Sequence, residues 1–194
     1  IIMDAQSRRN DDHIRINRTR DVSSGLTTGF EMFNFEHQAL PELDLSDVDT
    51  STCFLTKDLR LPLIISSMTG GSEEGDAINR RLAEAAQNSG IAMGVGSQRG
   101  QIESGSAKRG QILRKIAPDV LLFANLGAVQ LNYGFDLDRV KRAVELLEAD
   151  GLILHLNPLQ EALQPEGNTN FGGLAKKIEE ICTGISVPVI VKEV

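Results

Sequence analysis

Cysteine is scarce. The 194-residue sequence holds two, Cys53 and Cys182, far apart and in no metal-ligand spacing. That number excludes a small disulfide scaffold, and the lack of a second pair excludes a structural zinc site. Reduced thiols in a cytoplasmic protein are the expectation. Positive charge is not in excess either. The formal net charge is −7, drawn mostly from residues 42–58 together with Glu73, Glu74 and Asp76, and it offers no basic face to nucleic acid. No apolar run approaches the roughly 18–20 residues of a membrane span. The N-terminal residues lack the apolar stretch of a secretory signal, so neither membrane nor export is expected. Familiar catalytic signatures are missing too: there is no Walker loop, HExxH or nucleophile elbow. Gly94-Val95-Gly96-Ser97-Gln98-Arg99 is not GxGxxG, and no helix is expected to start directly after it.

What is present is a repeat of short apolar runs and amphipathic stretches. Residues 1–55 read as an irregular, polar N-terminal extension with one short helix over 11–18. Residues 56–194 read as one α/β domain. Apolar runs at 61–68, 91–96, 120–126, 151–157 and 187–194 alternate with helical patterns over 73–88, 107–116, 137–149 and 174–182. The runs are nearly continuous rather than alternating, as in strands covered by helices on both faces. Strand–helix alternation predicts right-handed crossovers and a parallel sheet, either an open doubly wound sheet or a β/α barrel. A (β/α)8 TIM barrel takes eight strands in about 200–250 residues. Five are visible and the sequence stops inside the fifth, so the expectation is the N-terminal extension and about five strand–helix units of a longer chain.

Each run ends in residues unusual for a core. They are Ser66-Ser67-Met68-Thr69-Gly70-Gly71, then Gly94 to Arg99, then Asn125-Leu126-Gly127, then His155-Leu156-Asn157-Pro158-Leu159-Gln160-Glu161, then Lys192-Glu193. Ligands of parallel α/β folds bind outside the carboxyl ends of the strands, so the five clusters read as one convergent site for a phosphorylated ligand. The glycine pairs serve either tight turns or close approach to a flat or anionic ligand. Arg99 beside Ser97 and Gln98 is a fork of donors suited to phosphate, or an ordinary salt-bridging arginine. Asn125 needs a partner, in a loop or on a ligand. His155 and Asn157 alternate with leucines and are expected on one face. Glu161 is either an oxygen ligand for a hard cation such as magnesium or a helix-start carboxylate. Lys192 in an apolar strand calls for an anionic or π-acidic partner, and Glu193 is expected to point the other way. The cluster Arg8, Arg9, Asp11, Asp12, His13 and Arg15 is a solvated tail or a flap that brings cations to an anionic ligand.

Several segments together resemble the type 2, FMN-dependent isopentenyl-diphosphate delta-isomerases. They are Arg9-Asn10-Asp11-Asp12-His13-Ile14-Arg15, Thr28-Gly29-Phe30-Glu31, Ser66 to Gly71, Gly94 to Arg99, and Phe123-Ala124-Asn125-Leu126-Gly127. Leu154 to Glu161, Gln164-Pro165-Glu166-Gly167-Asn168-Thr169-Asn170-Phe171 and Pro188 to Val194 complete the set. The resemblance implies a barrel flavoprotein of isoprenoid biosynthesis that binds FMN, uses Mg2+ and has its flavin reduced by NADPH. It implies interconversion of isopentenyl and dimethylallyl diphosphate, and a homo-oligomer between dimer and octamer. Ser66, Ser67, Met68, Thr69, Ser97, Asn125 and Lys192 would contact FMN. Arg9, Ser97, Gln98, Arg99, His155, Asn157 and Gln160 would contact the diphosphate substrate, with His155 and Gln160 nearest the chemistry. Glu161 would hold Mg2+. The usual Arg-Lys pair reads Arg9-Asn10 here, and the Gly-rich segments that hold the FMN phosphate in that family do not occur. The alternative is an FMN-dependent barrel oxidoreductase acting on a phosphorylated or carboxylated small molecule. A third reading is a catalytically silent barrel fragment that assembles with its own copies.

Overall fold

The computed structural model describes residues 5–105 and 108–193, with residues 5–9, 108 and 109 described by backbone alone. Ala107 and Val194, read above as helix and strand, lie outside the described residues, as do the side chains of Arg8 and Arg9. Among the described residues no helix is long and apolar enough to cross a membrane.

The N-terminal helix α1, Ala5–Thr19, is longer than the sequence pattern indicates, and over residues 10–19 it is mostly exposed. Its few apolar residues give no periodic stripe, which is why only its core is visible in the sequence. The extension is also less irregular than expected, because it contributes β1, Thr52–Phe54, which pairs antiparallel with β2, Lys57–Leu59. The two-residue connection Leu55-Thr56 carries none of the usual Asn-Gly or Asp-Gly turn chemistry, and Leu55 adopts φ 55° instead.

The main sheet holds β3, Ile64–Ile65; β4, Ala92–Gly94; β5, Leu122–Gly127; β6, Gly151–His155; and β7, Val189–Lys192. All neighbours are parallel and the order is sequential, β3-β4-β5-β6-β7. Helix α2, Glu73–Ser89, connects β3 to β4. Its N-cap Ser72 Oγ accepts from Gly75 N, and Gly90 ends it at φ 65°. Between β4 and β5 lie α3, Arg99–Ser104, and α4, Lys108–Ile116. Thus a helix does begin directly after the Gly94–Gln98 segment, contrary to expectation. It is six residues long with Ile102 as its one apolar side chain, too short and too polar to show periodicity. Helix α5, Leu137–Leu147, is capped by Asp136 accepting from Arg139 N, and leads to β6. The short α6, Pro158–Leu163, and α7, Leu174–Gly184, join β6 to β7.

Alternation along the strands sorts the core into two faces. Leu122, Ala124 and Leu126 of β5 and Leu152 and Leu154 of β6 pack under the helices with Val140, Ala143 and Leu147. Leu121, Phe123 and Ile153 face the other way and meet Ala92, with Leu59 of the hairpin and Ile190 closing the cluster. Gly151 belongs to this arrangement: a Cβ there would stand 2.8 Å from the Phe123 ring. The inner face is concave. In a flat sheet with strands about 4.8 Å apart, β3 and β7 would lie about 19 Å apart. Instead Lys192 Nζ of β7 reaches the main-chain oxygen of Ser67, just past β3, at 2.6 Å. The sheet is a curled parallel half-barrel, and closure into eight strands is not seen among the described residues.

At the amino-terminal edge a charged network ties these layers. Asp150 Oδ2 accepts from Leu122 N at 2.8 Å and from Arg114 Nη2 at 2.7 Å, while Lys57 Nζ lies 3.2 Å from Oδ1. Lys57 and Arg114 each also donate to Val120 O, at 3.0 Å.

Candidate functional site

The parity that buries Phe123, Ile153 and Ile190 on the inner face places Asn125, His155 and Lys192 on that same face two residues later. Register then aligns their strands: Gly127 pairs with His155, and His155 with Lys192. The polar residues therefore crown an apolar floor at the carboxyl edge of the sheet. His155 Nδ1 lies 2.9 Å from Asn125 Oδ1. An amide oxygen only accepts, so in this pairing Nδ1 carries a proton and donates it. The ring lies over Gly127, where a Cβ would come within 3.1 Å of Nε2.

The first loop folds over the end of β4. Ser67 is buried, and its Oγ has no hydrogen-bond partner among the described residues. A Cβ on Gly94 would collide with Ser67 Oγ, and one on Gly96 with the main-chain oxygen of Thr69. The two glycines thus serve the close approach of chain to chain. Three carbonyls of this loop are each taken by a side chain from a different element. Lys192 of β7 donates to Ser67 O at 2.6 Å, Asn79 of α2 to Thr69 O at 2.9 Å, and Asn10 of α1 to Gly70 O at 2.6 Å. Ser66 and Met68 stay exposed on the same loop, Met68 at 81%. Between α1 and the loop opens a cleft of about 430 Å³ lined by Asn10, His13, Arg18, Met68 and Thr69 among others.

The second cluster behaves differently from its sequence reading. Gln98 is buried, donates through Nε2 to Ala143 O at 3.1 Å and accepts at Oε1 from Asn125 N at 3.1 Å. Its amide braces the strand ends rather than standing open as a substrate contact. Arg99 pairs through Nε with Glu103 at 3.0 Å, one turn along α3, and its own N–H donates to Ser97 Oγ at 3.4 Å.

Beyond β6 the chain leaves strand geometry. Asn157 takes φ −151° and ψ 59° ahead of α6, so strand alternation with His155 does not continue to it, and its Nδ2 donates to Gln160 Oε1. Glu161 Oε2 accepts from Asn168 N at 2.5 Å. Gly167 allows that loop to close, since a Cβ there would collide with Glu161 O. Glu193 does not point away from Lys192: its φ of 66° breaks the alternation, and the two pair at 3.1 Å.

The structure therefore joins Ser67, Asn125, His155 and Lys192 in one mouth, with Ser97 and Gln98 beside Asn125 and with Gln160 and Glu161 on the helix that follows His155. It turns Gln98 inward and Arg99 toward Glu103. Asn79 went unread in the sequence. Its signal was a polar residue within the buried stripe Gly75, Asn79, Ala83 and Ala86 of α2.

No family model matches the chain. It is 55% identical over 94% of its length to a protein of Nostoc sp. named isopentenyl-diphosphate delta-isomerase, covering 53% of that protein. Proteins of the same name from Synechocystis sp. and Rickettsia canadensis are 53% and 51% identical over 99% and 98% of this chain, which covers 55% and 56% of them. The fold is similar to that of a mandelate oxidase mutant solved with the monooxide FMN adduct, at TM-score 0.51 and 15% identity, covering 78% of this chain and 46% of that one. A second structure of that mutant, with the C4a-OH-FMN adduct, gives TM-score 0.51 at 16% identity over 78% and 47%. The chain spans about half the length of the curated relatives it matches, and over nearly its whole extent it is similar to proteins named isopentenyl-diphosphate delta-isomerase.

Proposed function

We propose that the protein is an isopentenyl-diphosphate delta-isomerase of the FMN-dependent type 2 class, using Mg2+ and a flavin reduced by NADPH. The observation that carries this reading is the mouth formed by Ser67, Asn125, His155 and Lys192 above an apolar floor. Half-barrel likeness to FMN oxidases and the 51–55% identity to named isomerases support it. Closure of the sheet into a (β/α)8 barrel, assembly with further copies and a cytoplasmic setting belong to the same proposal.

The residues fit a flavin. Ser67 Oγ is a buried hydroxyl without a partner among the described residues, Lys192 brings an ammonium to the mouth, and Met68 offers exposed apolar surface on the rim. The fit to Mg2+ is narrower. Among the described residues no group of three or more His, Cys, Asp and Glu gathers to hold a metal. Mg2+ commonly takes one or two carboxylates and completes its shell with water and substrate phosphate, so Glu161 suffices only with a diphosphate present.

The reaction moves a double bond by one carbon: the terminal methylene gains a proton and the carbon next to the CH2–O group loses one. Reduced FMN, when bound, supplies a group able to give and take that proton beside an unactivated alkene. The chain's residues do the rest by position. Arg9, Ser97 and Arg99 hold the remote diphosphate, and the binding energy there orients the alkene. His155, fixed by Asn125, and Gln160 stand nearest the reacting carbons. The apolar floor of Phe123 and Ile153 keeps water from them.

The test is anaerobic turnover of isopentenyl diphosphate with Mg2+ and reduced FMN. Formation of dimethylallyl diphosphate with only catalytic traces of NADPH is expected. NADPH consumed in proportion to product would instead mark an oxidoreductase, and no turnover would refute the isomerase.

A further inference from the structure

Helix α1 lies against α2 and the loop after β3. Along it only Asn10, Asp11 and Ile14 are half-buried among the residues with described side chains. Asn10 and Ile14 share a face at i and i+4, and Ile14 lies in the cleft against Ile78 of α2. Two side-chain bonds, among the described residues, cross from α1 to the rest of the chain. Arg18 to Glu74, at 3.3 Å, is exposed on both sides. Asn10 Nδ2 to Gly70 O, at 2.6 Å, is half-buried and directional.

The receiving end of the Asn10 bond is built to accept it. Gly71 adopts φ 79°, and a Cβ there would stand 2.6 Å from Asn10 Nδ2. Glycine at 71 is therefore required twice, by its left-handed backbone and by the space the amide occupies. Gly70 itself rests on Gly96, where a Cβ would meet the Gly96 Cα at 3.4 Å. Thr69 O and Ser67 O on the same loop are fixed by Asn79 and Lys192. The loop is thus held at three carbonyls, and Asn10 supplies the one bond among them that comes from α1.

We infer that Asn10 is a positioning residue. Its amide hooks α1 onto Gly70 O and so sets where the helix backbone at Arg9 and the next-turn His13 stand relative to the loop after β3. The resemblance leads one to expect a lysine here. Asparagine gives up that charge for an uncharged, directional bond, while His13 and Arg18 line the cleft. The role given to Arg9 rests on the isomerase reading; the hook does not.

The experiment compares the whole protein with Asn10→Ala and with Asn10→Asp, whose carboxylate keeps the shape but cannot donate to Gly70 O. Hydrogen exchange of α1 amides should quicken roughly 2- to 10-fold in both variants, the range a single hydrogen bond supports, with β5 and β6 unchanged. Affinity for inorganic diphosphate with Mg2+ should fall by a similar factor, and in turnover KM should rise while kcat holds. Unchanged exchange of α1 would overturn the hook. Faster exchange with unchanged diphosphate affinity would overturn the positioning role. Should the unaltered protein show hooked α1 and diphosphate binding but no isomerisation, the functional reading falls and this inference stands.

Discussion

Lys192 and Ser67 lie 125 positions apart in sequence, yet Lys192 Nζ donates to Ser67 O at 2.6 Å. This contact joins the first and last strands of the five-stranded sheet across its concave face. A lysine at the end of an apolar strand carries a desolvation cost that needs a partner. Here a carbonyl oxygen and Glu193 supply it.

Replacing that ammonium by an apolar chain of similar length tests the placement. Lys192→Met should lower FMN affinity roughly 10- to 100-fold, the scale of a charge-assisted hydrogen bond. The measurement is flavin titration followed by fluorescence, with circular dichroism to show an unchanged fold. Equal affinity in the variant would remove Lys192 from the cofactor site.

Glu161 is tied by one oxygen to Asn168 N at 2.5 Å. In the proposed function its charge faces Mg2+ shared with the diphosphate. Glu161→Gln should abolish the Mg2+ dependence together with most activity, while the protein stays yellow. Mg2+ titrations of turnover and the flavin absorbance separate the two effects. Retained activity with the same Mg2+ requirement would take Glu161 out of the metal role.

Gly127 makes the room that His155 uses. Gly127→Ala would put a methyl within 3.1 Å of Nε2 and 3.4 Å of Cε1, so the ring must shift by a few tenths of an ångström. Stability should drop by less than about 1.5 kcal/mol, because the ring edge can yield. The catalytic geometry is less forgiving, and kcat/KM should fall roughly tenfold. Thermal melts alongside kinetics check both parts. A variant with normal kcat/KM would show that the His155 position does not matter to turnover.

Much of this architecture was legible in the sequence, and the parts that were not have physical causes. The helix α2 announces itself by Ala77, Ile78, Leu82 and Ala85 at helical spacing and by Gly90 at its end. Strands β5 and β6 are read from apolar runs because burial on both faces leaves no other composition. Polar residues at the ends of apolar strands mark Asn125, His155 and Lys192, whereas the alternation expected of His155 and Asn157 fails where the chain leaves strand geometry. Alternation fails at Glu193, where a left-handed φ turns the side chain back to Lys192. Short elements escape because α3 and α6 give less than two helical turns of pattern. Gln98 shows a deeper limit. Sequence marks it as a donor beside the site, but only the close passage of β4 and β5 decides that its amide bonds Ala143 O and Asn125 N.

The far edge of the sheet makes the last prediction, one about pH and stability. Burial alone would raise the Asp150 pKa, but the Leu122 N–H, the bond and charge of Arg114 and the bond from Lys57 together outweigh it and hold it below the usual carboxylate value. A carboxylate whose pKa is depressed on folding stabilises the fold above its unfolded pKa, about 3.9, and loses that contribution as pH falls through the folded value. Stability should therefore be flat with respect to this group near neutrality and decline below about pH 4. Asp150→Asn removes the charge, leaves Arg114 and Lys57 facing a neutral amide, and weakens the joint between hairpin, α4, β5 and β6. The expected loss is about 1–3 kcal/mol at pH 7. Denaturant titrations at pH 7 and pH 3.5 measure it, and the gap between the two proteins should narrow at the lower pH. An equal gap at both values would mean that the network holds through shape rather than charge.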